Sequence, residues 1–139
     1  MADITVTPAK VAAVRPQDSK ILSYVATSAI TAGDPVYITT AGKAGVADAN
    51  ASGTKQFRGI ALKTVGTGMA VDVLEDGEVY GFTLSGNADT RVYLSNNVGR
   101  IADAAGSTSV TVGRVVCLPD APTFTKVLRV FTQWATEWA

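Results

Sequence analysis

The stretch PVYITTAGKAGVADA, from Pro35 to Ala49, decides how the chain is read. Val36-Tyr37-Ile38 is a strand candidate rich in β-branched and aromatic residues. Pro35 stands at its start, where a missing N–H does least harm. A polar turn and a short apolar run at Val46-Ala47 complete the phrase. The chain writes it again as RVYLSNNVGRIADAA, from Arg91 to Ala105. Val36-Tyr37-Ile38 answers to Val92-Tyr93-Leu94, and Val46-Ala47-Asp48 answers to Ile101-Ala102-Asp103. After a variable small-residue stretch, Arg58 to Leu62 answers loosely to Gly113 to Leu118. Each copy reads strand, polar turn, short strand, loop, strand. Two copies are too few for a solenoid, which needs about three repeats or more. The pair is expected to pack into one barrel or sandwich.

Outside the copies, the same strand-and-turn grammar continues. KILSYVATSAI (Lys20 to Ile30) is a long strand candidate, and TAGD then turns the chain with Gly33 free to take positive φ. Between the copies, MAVDVLEDGEVYGFTL (Met69 to Leu84) predicts a hairpin turning at Asp76-Gly77, since Asp-Gly between strand-like runs is a strong turn signal. Tyr80, Phe82 and Leu84 form its expected core side. FRGIALKTVGTG (Phe57 to Gly68) is a strand entering a glycine-rich turn. Helical periodicity is confined to the C-terminal end, so the fold class is all-β. The expected organisation is an extended N-terminal arm over 1–19 and a compact β-barrel or sandwich over 20–122. Two similar β-units near 33–62 and 89–118 build that body, and a C-terminal strand and short aromatic tail occupy 123–139.

Composition narrows the function. At 139 residues the chain is most simply one domain, and a hydrophobic share of 47% supports a proper core. Twelve basic and twelve acidic side chains cancel, so no net field draws the protein to nucleic acid or to anionic membrane. The charges are scattered, and the sequence shows no basic patch. No apolar run approaches the roughly 20 residues that cross a bilayer, and MADITVTPAK lacks the regions of a signal peptide, so synthesis in a cytoplasm is expected. The one cysteine, Cys117, lies in apolar VVCLP and reads as a small core residue; no histidine exists to activate it or to bind a metal. Asp48, Asn50, Ser52 and Gly53 imitate the first half of a calcium loop, but Gly59 stands where its bidentate glutamate belongs. The GTG at Gly66 to Gly68 lacks the lysine of a phosphate loop. No catalytic residue, cofactor or metal ligand is assigned, and an enzyme is not expected.

AGDPVYITTAGKAGVADA, FRGIALKTVGTGMAVDVLEDGEV and GRVV together resemble the small decoration, or capsid cement, proteins of tailed bacteriophages. In that family a G-x-P-V-Y strand leads through a small-residue loop to G-I-A, then to a hairpin with a glycine turn. ADITVTPAKVAAV is similar to the family's extended N-terminal arm. The resemblance covers roughly residues 3 to 118, and the segment from Thr123 to Ala139 has no match in it. It implies a compact β-barrel or β-tulip-like domain on the outer surface of an icosahedral head, assembled in the bacterial host's cytoplasm. The implied partners are the major capsid protein and further copies of the chain, as a homotrimer at local symmetry axes.

Two segments carry the candidate contacts. In ADITVTPAKVAAVRPQ, Ile4 and Val6 alternate with Thr5 and Thr7, as in a strand that adds to a neighbour's open edge, and Pro8 and Pro16 keep the segment extended. Ile4, Val6, Pro8, Val11 and Val14 are the expected capsid-binding residues. The other reading is an N-terminal strand folded onto its own barrel. At the C-terminus, Phe131, Trp134 and Trp138 fall at i, i+3 and i+7, one face of a short helix. They are candidate subunit contacts, or a cover for the protein's own barrel. The alternative function is another virion component: a head–tail or tail β-domain, including one that binds host glycans.

Overall fold

A computed structural model describes residues 3–50, 54–133 and 138. Among the described residues nine strands form one curled antiparallel half-barrel: β1 (Lys20–Val25), β2 (Pro35–Ile38), β3 (Ala44–Val46), β4 (Gly59–Ala61), β5 (Ala70–Val79), β6 (Arg91–Leu94), β7 (Ile101–Ala102), β8 (Thr111–Cys117) and β9 (Lys126–Phe131). Their order is β3-β2-β4-β5-β9-β8-β6-β7, with β1 on the other edge of β5. The all-β class read from the sequence is the class observed. In each repeated stretch a short hairpin is followed by a third strand that lies antiparallel to the hairpin's first strand. β4 pairs β2 in the first stretch, and β8 pairs β6 in the second. The registers differ. Ile38 faces Ala44, whereas its counterpart Leu94 faces Ile101, the counterpart of Val46.

The expected hairpin at Asp76-Gly77 does not form. Those residues lie inside β5, a single ten-residue strand that serves as the spine of the sheet. Both of its edges are occupied. β1 covers Ala70 to Asp76 on one side; β4 takes Val73 and Leu74 on the other, and β9 takes Asp76 to Val79. Pairing on two edges outweighs the preference of one dipeptide for a turn, because strand stability is set by neighbours more than by intrinsic propensity. Gly77 is needed for a different reason. Its φ is +144°, and a Cβ there would strike the side chain of Ser19, where the pairing with β1 shifts register. The glycine permits a close approach, not a reversal.

Two packed clusters result. The larger joins Phe57, Ile60, Leu74, Val92, Leu94, Ile101, Val112 and Leu128. The smaller joins Ile30, Val36, Ala61, Val71 and Val73. Of the expected core trio, Phe82 is buried and Leu84 packs against the larger cluster, while Tyr80 is exposed. Cys117 is exposed as well, contrary to the sequence reading. A bulge skips Val112 in the pairing of β8 with β6, so that Val110, Val112 and Val115 all turn inward. Beyond the bulge, alternation directs Arg114 outward and Val115 inward, and Cys117 is exposed as the last residue of β8.

The segment expected as an arm is docked on the protein's own body in the isolated chain. The Ile4 N–H donates to the Ile101 carbonyl, Thr83 N–H to Thr5, Thr7 N–H to Gly81, Tyr80 N–H to Ala12, and Val14 N–H to Glu78. Residues 5–14 thus run along 78–83, continuing the edge of β5 that β1 begins, while Asp3 and Ile4 meet β7. Ile4 and Val6 are half-buried against the larger cluster, Val11 is buried, and Pro8 is exposed at the start of a one-turn 3-10 helix. The apolar alternation is an edge-pairing signal, and the edge it meets here is intramolecular. Residues 126–131 are no appendage either, since β9 lies inside the sheet between β5 and β8.

The carboxylate of Glu75, on β5, is buried at 1% exposure. Its Oε2 accepts from the Tyr24 hydroxyl at 2.7 Å, and Lys20 Nζ stands 3.8 Å from its Oε1. Burial, then the hydrogen bond to Glu75 and the repulsion of its charge, push the Tyr24 phenol up to about 12. A phenol whose folded pKa lies above the unfolded value near 10 contributes stability that is complete below about pH 10. That contribution is lost as the pH rises through about 12. Tyrosinate absorbance should therefore show a late-titrating component that Tyr24→Phe removes. An unchanged alkaline titration curve in the variant would refute this assignment.

Candidate functional site

The sheet's solvent side across β6, β8 and β9 carries a row of charged side chains facing one way. Register alone builds it: Arg91 faces Arg114, and Arg114 faces Arg129. On the next strand, Glu78 faces Arg129. The row therefore reads Glu78, Arg129, Arg114, Arg91 across four strands. All three arginines are exposed. With Thr111, Phe131 and Gln133 they line an open groove of about 420 Å³. Phe131, 55% exposed, places an aromatic ring at this groove.

The central guanidinium is held. Arg114 Nη1 donates to the Asp89 carbonyl at 2.6 Å and lies 3.6 Å from the Asp89 carboxylate. Asp89 takes φ +70°, a left-handed conformation uncommon for residues other than glycine, while its own N–H donates to the Val115 carbonyl at 2.7 Å. At the other end, Glu78 is engaged by Arg15 at 3.4 Å. Beneath the row, Gly113 lets β8 and β9 approach closely, because a Cβ there would run into the carbonyl oxygen of Arg129.

The sequence reading missed this row and found the charges merely scattered. The three arginines are far apart in the chain, and only the strand pairing brings them together. Phe131 was singled out as a contact residue, and it lies here. It ends β9, however, and does not begin a helix, so the i, i+3, i+7 reading fails at its first member. Trp134 lies outside the described residues. Trp138 is elsewhere: it packs against the larger core cluster, exchanges hydrogen bonds with the Gln56 side chain at 2.7 and 3.0 Å, and lies under the Arg58 guanidinium at 5.6 Å. The structure does not bring Phe131 and Trp138 into one patch with the N-terminal residues Ile4, Val6, Pro8, Val11 and Val14, which line a different edge.

Asp48 of the calcium-like stretch is buried and accepts the Asn50 N–H at 2.9 Å, the hydrogen bond of a local turn. Among the described residues no group of three or more acidic, cysteine or histidine side chains could hold a metal ion, and no helix is long and apolar enough to cross a membrane. The chain matches no family model, no curated protein and no solved structure.

Proposed function

We propose that the protein is a capsid decoration protein of a tailed bacteriophage, which binds the outer surface of the head and bridges neighbouring major capsid subunits as a homotrimer. The observation that carries this reading is the exposed, grooved face of β6, β8 and β9, where a row of arginines and the Phe131 ring stand on a continuous sheet. A cement protein works by adhesion between rigid surfaces. Binding only the assembled shell stabilises that shell by mass action, and several contacts per oligomer multiply the effect. The repeated phrase suits the same purpose, as two β-units of one plan that join the same edge of β5 through β4 and β9 and stiffen the body. The resemblance of AGDPVYITTAGKAGVADA and its companion stretches to decoration proteins supports the reading from the sequence side.

Mixing the purified protein with empty mature heads and pelleting them tests the proposal. The expected result is saturable co-sedimentation at a fixed number of copies per capsomer, with a trimeric mass for the free or bound protein. Attachment only at one vertex, or to host cells in place of heads, would replace it with the tail or glycan-binding alternative.

A further inference from the structure

The geometry points to the Arg91–Arg114–Arg129 row as a binding site for an extended acidic protein segment, whose carboxylates seat on the three guanidiniums. Like charges placed directly opposite one another on paired strands destabilise a sheet. Here the chain places three in succession. The described residues lining their groove include no carboxylate. Asp89 approaches Arg114 from outside the groove's lining and fixes its orientation, and Glu78 closes the row at the β5 end. The row is therefore an asymmetric electrostatic track, negative at β5 and positive through β9, β8 and β6.

Its dimensions select the ligand. Strands lie about 4.8 Å apart, so three arginines span about 10 Å, and alternate side chains of an extended segment recur about every 7 Å. Two carboxylates on one face of such a segment fit within the span. Guanidinium groups favour this pairing because each can meet a carboxylate with two parallel hydrogen bonds. Phe131 offers an apolar surface to a residue beside the acids. Nucleic acid fits less well. A track of three cations is short for a phosphate backbone, and a chain of balanced charge supplies no long-range attraction to one. The inference rests on the capsid reading only for the source of the segment, which on that reading belongs to the shell.

An oligoglutamate peptide titrated into the protein, followed by amide NMR, tests the site without any capsid. Saturable shifts should fall on β6, β8 and β9 and weaken as salt rises from about 50 mM to about 500 mM, where screening shortens to a few Å. The R91Q/R114Q/R129Q variant, checked for folding by circular dichroism, should bind about 30-fold more weakly, given a few-fold for each exposed charge pair. Glu78→Gln should bind about threefold more tightly by removing the repelling carboxylate, and Lys43→Gln, on a remote turn, should match wild type. Shifts centred elsewhere, wild-type affinity in the triple variant, or tighter binding of a single-stranded oligonucleotide than of the peptide would overturn the inference. Head pelleting separates it from the capsid reading. If heads bind the triple variant as well as wild type, the inference falls and the reading stands. If wild type ignores heads but binds the peptide through the row, the reverse holds.

Discussion

Replacing Gly113 by alanine is expected to lower the stability of the fold by about 3 kcal/mol, the upper range for overpacking a site that cannot yield. β8 is fixed on both sides: Gly113 faces Val92 on β6 and Val130 on β9. The nearest atoms to an added Cβ are the carbonyl oxygen and carbon of Arg129 and the Cα of Val130, all backbone. A rotamer change cannot relieve a backbone collision, so β8 must draw away from β9 and stretch the ladder that sets Arg114 beside Arg129. Gly42 provides the comparison. It takes φ +79° in the β2–β3 turn, and an added Cβ would meet nothing within 4 Å. Gly42→Ala therefore meets only backbone strain and should cost about 1 kcal/mol. Urea unfolding of both variants, with unchanged slopes, measures the difference. A Gly113→Ala protein as stable as Gly42→Ala would show that β8 and β9 are not so closely apposed.

What was legible in the sequence follows from the range of the forces involved. Short runs such as Pro35–Ile38 and Arg91–Leu94 emerge as strands because β-branched and aromatic residues suit a pleated, half-buried surface wherever it lies. The Asp76-Gly77 signal misled because it is local, and β5 is decided by partners distant in the chain, as in the pairing of Asp76 with Lys20 on one edge and Phe131 on the other. The same glycine serves a turn or a close approach with equal ease, and only the position of Ser19 distinguishes them. In the N-terminal segment the alternation of Ile4 and Val6 marks a segment with one face to bury, but no local pattern says whose edge it meets, and here it makes only isolated bridges within its own chain. The arginine row was invisible for a stronger reason. It is a property of register, and a slip of one residue between β8 and β9 would send Arg114 and Arg129 to opposite faces. Charge balance over the whole chain conceals a patch that the sheet assembles.

Replacing Phe57 by alanine is expected to cost about 4 kcal/mol and to loosen the C-terminal tryptophan at the same time. Phe57 is fully buried in the larger cluster, although it belongs to the loop before β4 and not to a strand. Truncation removes the ring and leaves a cavity, and the loop cannot collapse freely, since the Arg58 N–H is tied to the Val36 carbonyl at 2.8 Å. The neighbours of Phe57 are the residues that hold Trp138. Gln56 exchanges hydrogen bonds with its backbone, and Arg58 stacks over its ring while donating to the Phe57 carbonyl at 3.1 Å. Burial of one side chain thus orients both halves of the clasp. Trp138→Ala removes only the clasped ring, which is half-buried, and should cost about 1 kcal/mol. Denaturant midpoints should therefore rank Phe57→Ala well below Trp138→Ala, and the folded Phe57→Ala protein should show red-shifted tryptophan emission. If Trp138→Ala proves as costly as Phe57→Ala, the indole belongs to the core outright. If instead the emission of Phe57→Ala stays at the wild-type wavelength, the clasp holds without its anchor, and the loop's rigidity comes from its backbone hydrogen bonds.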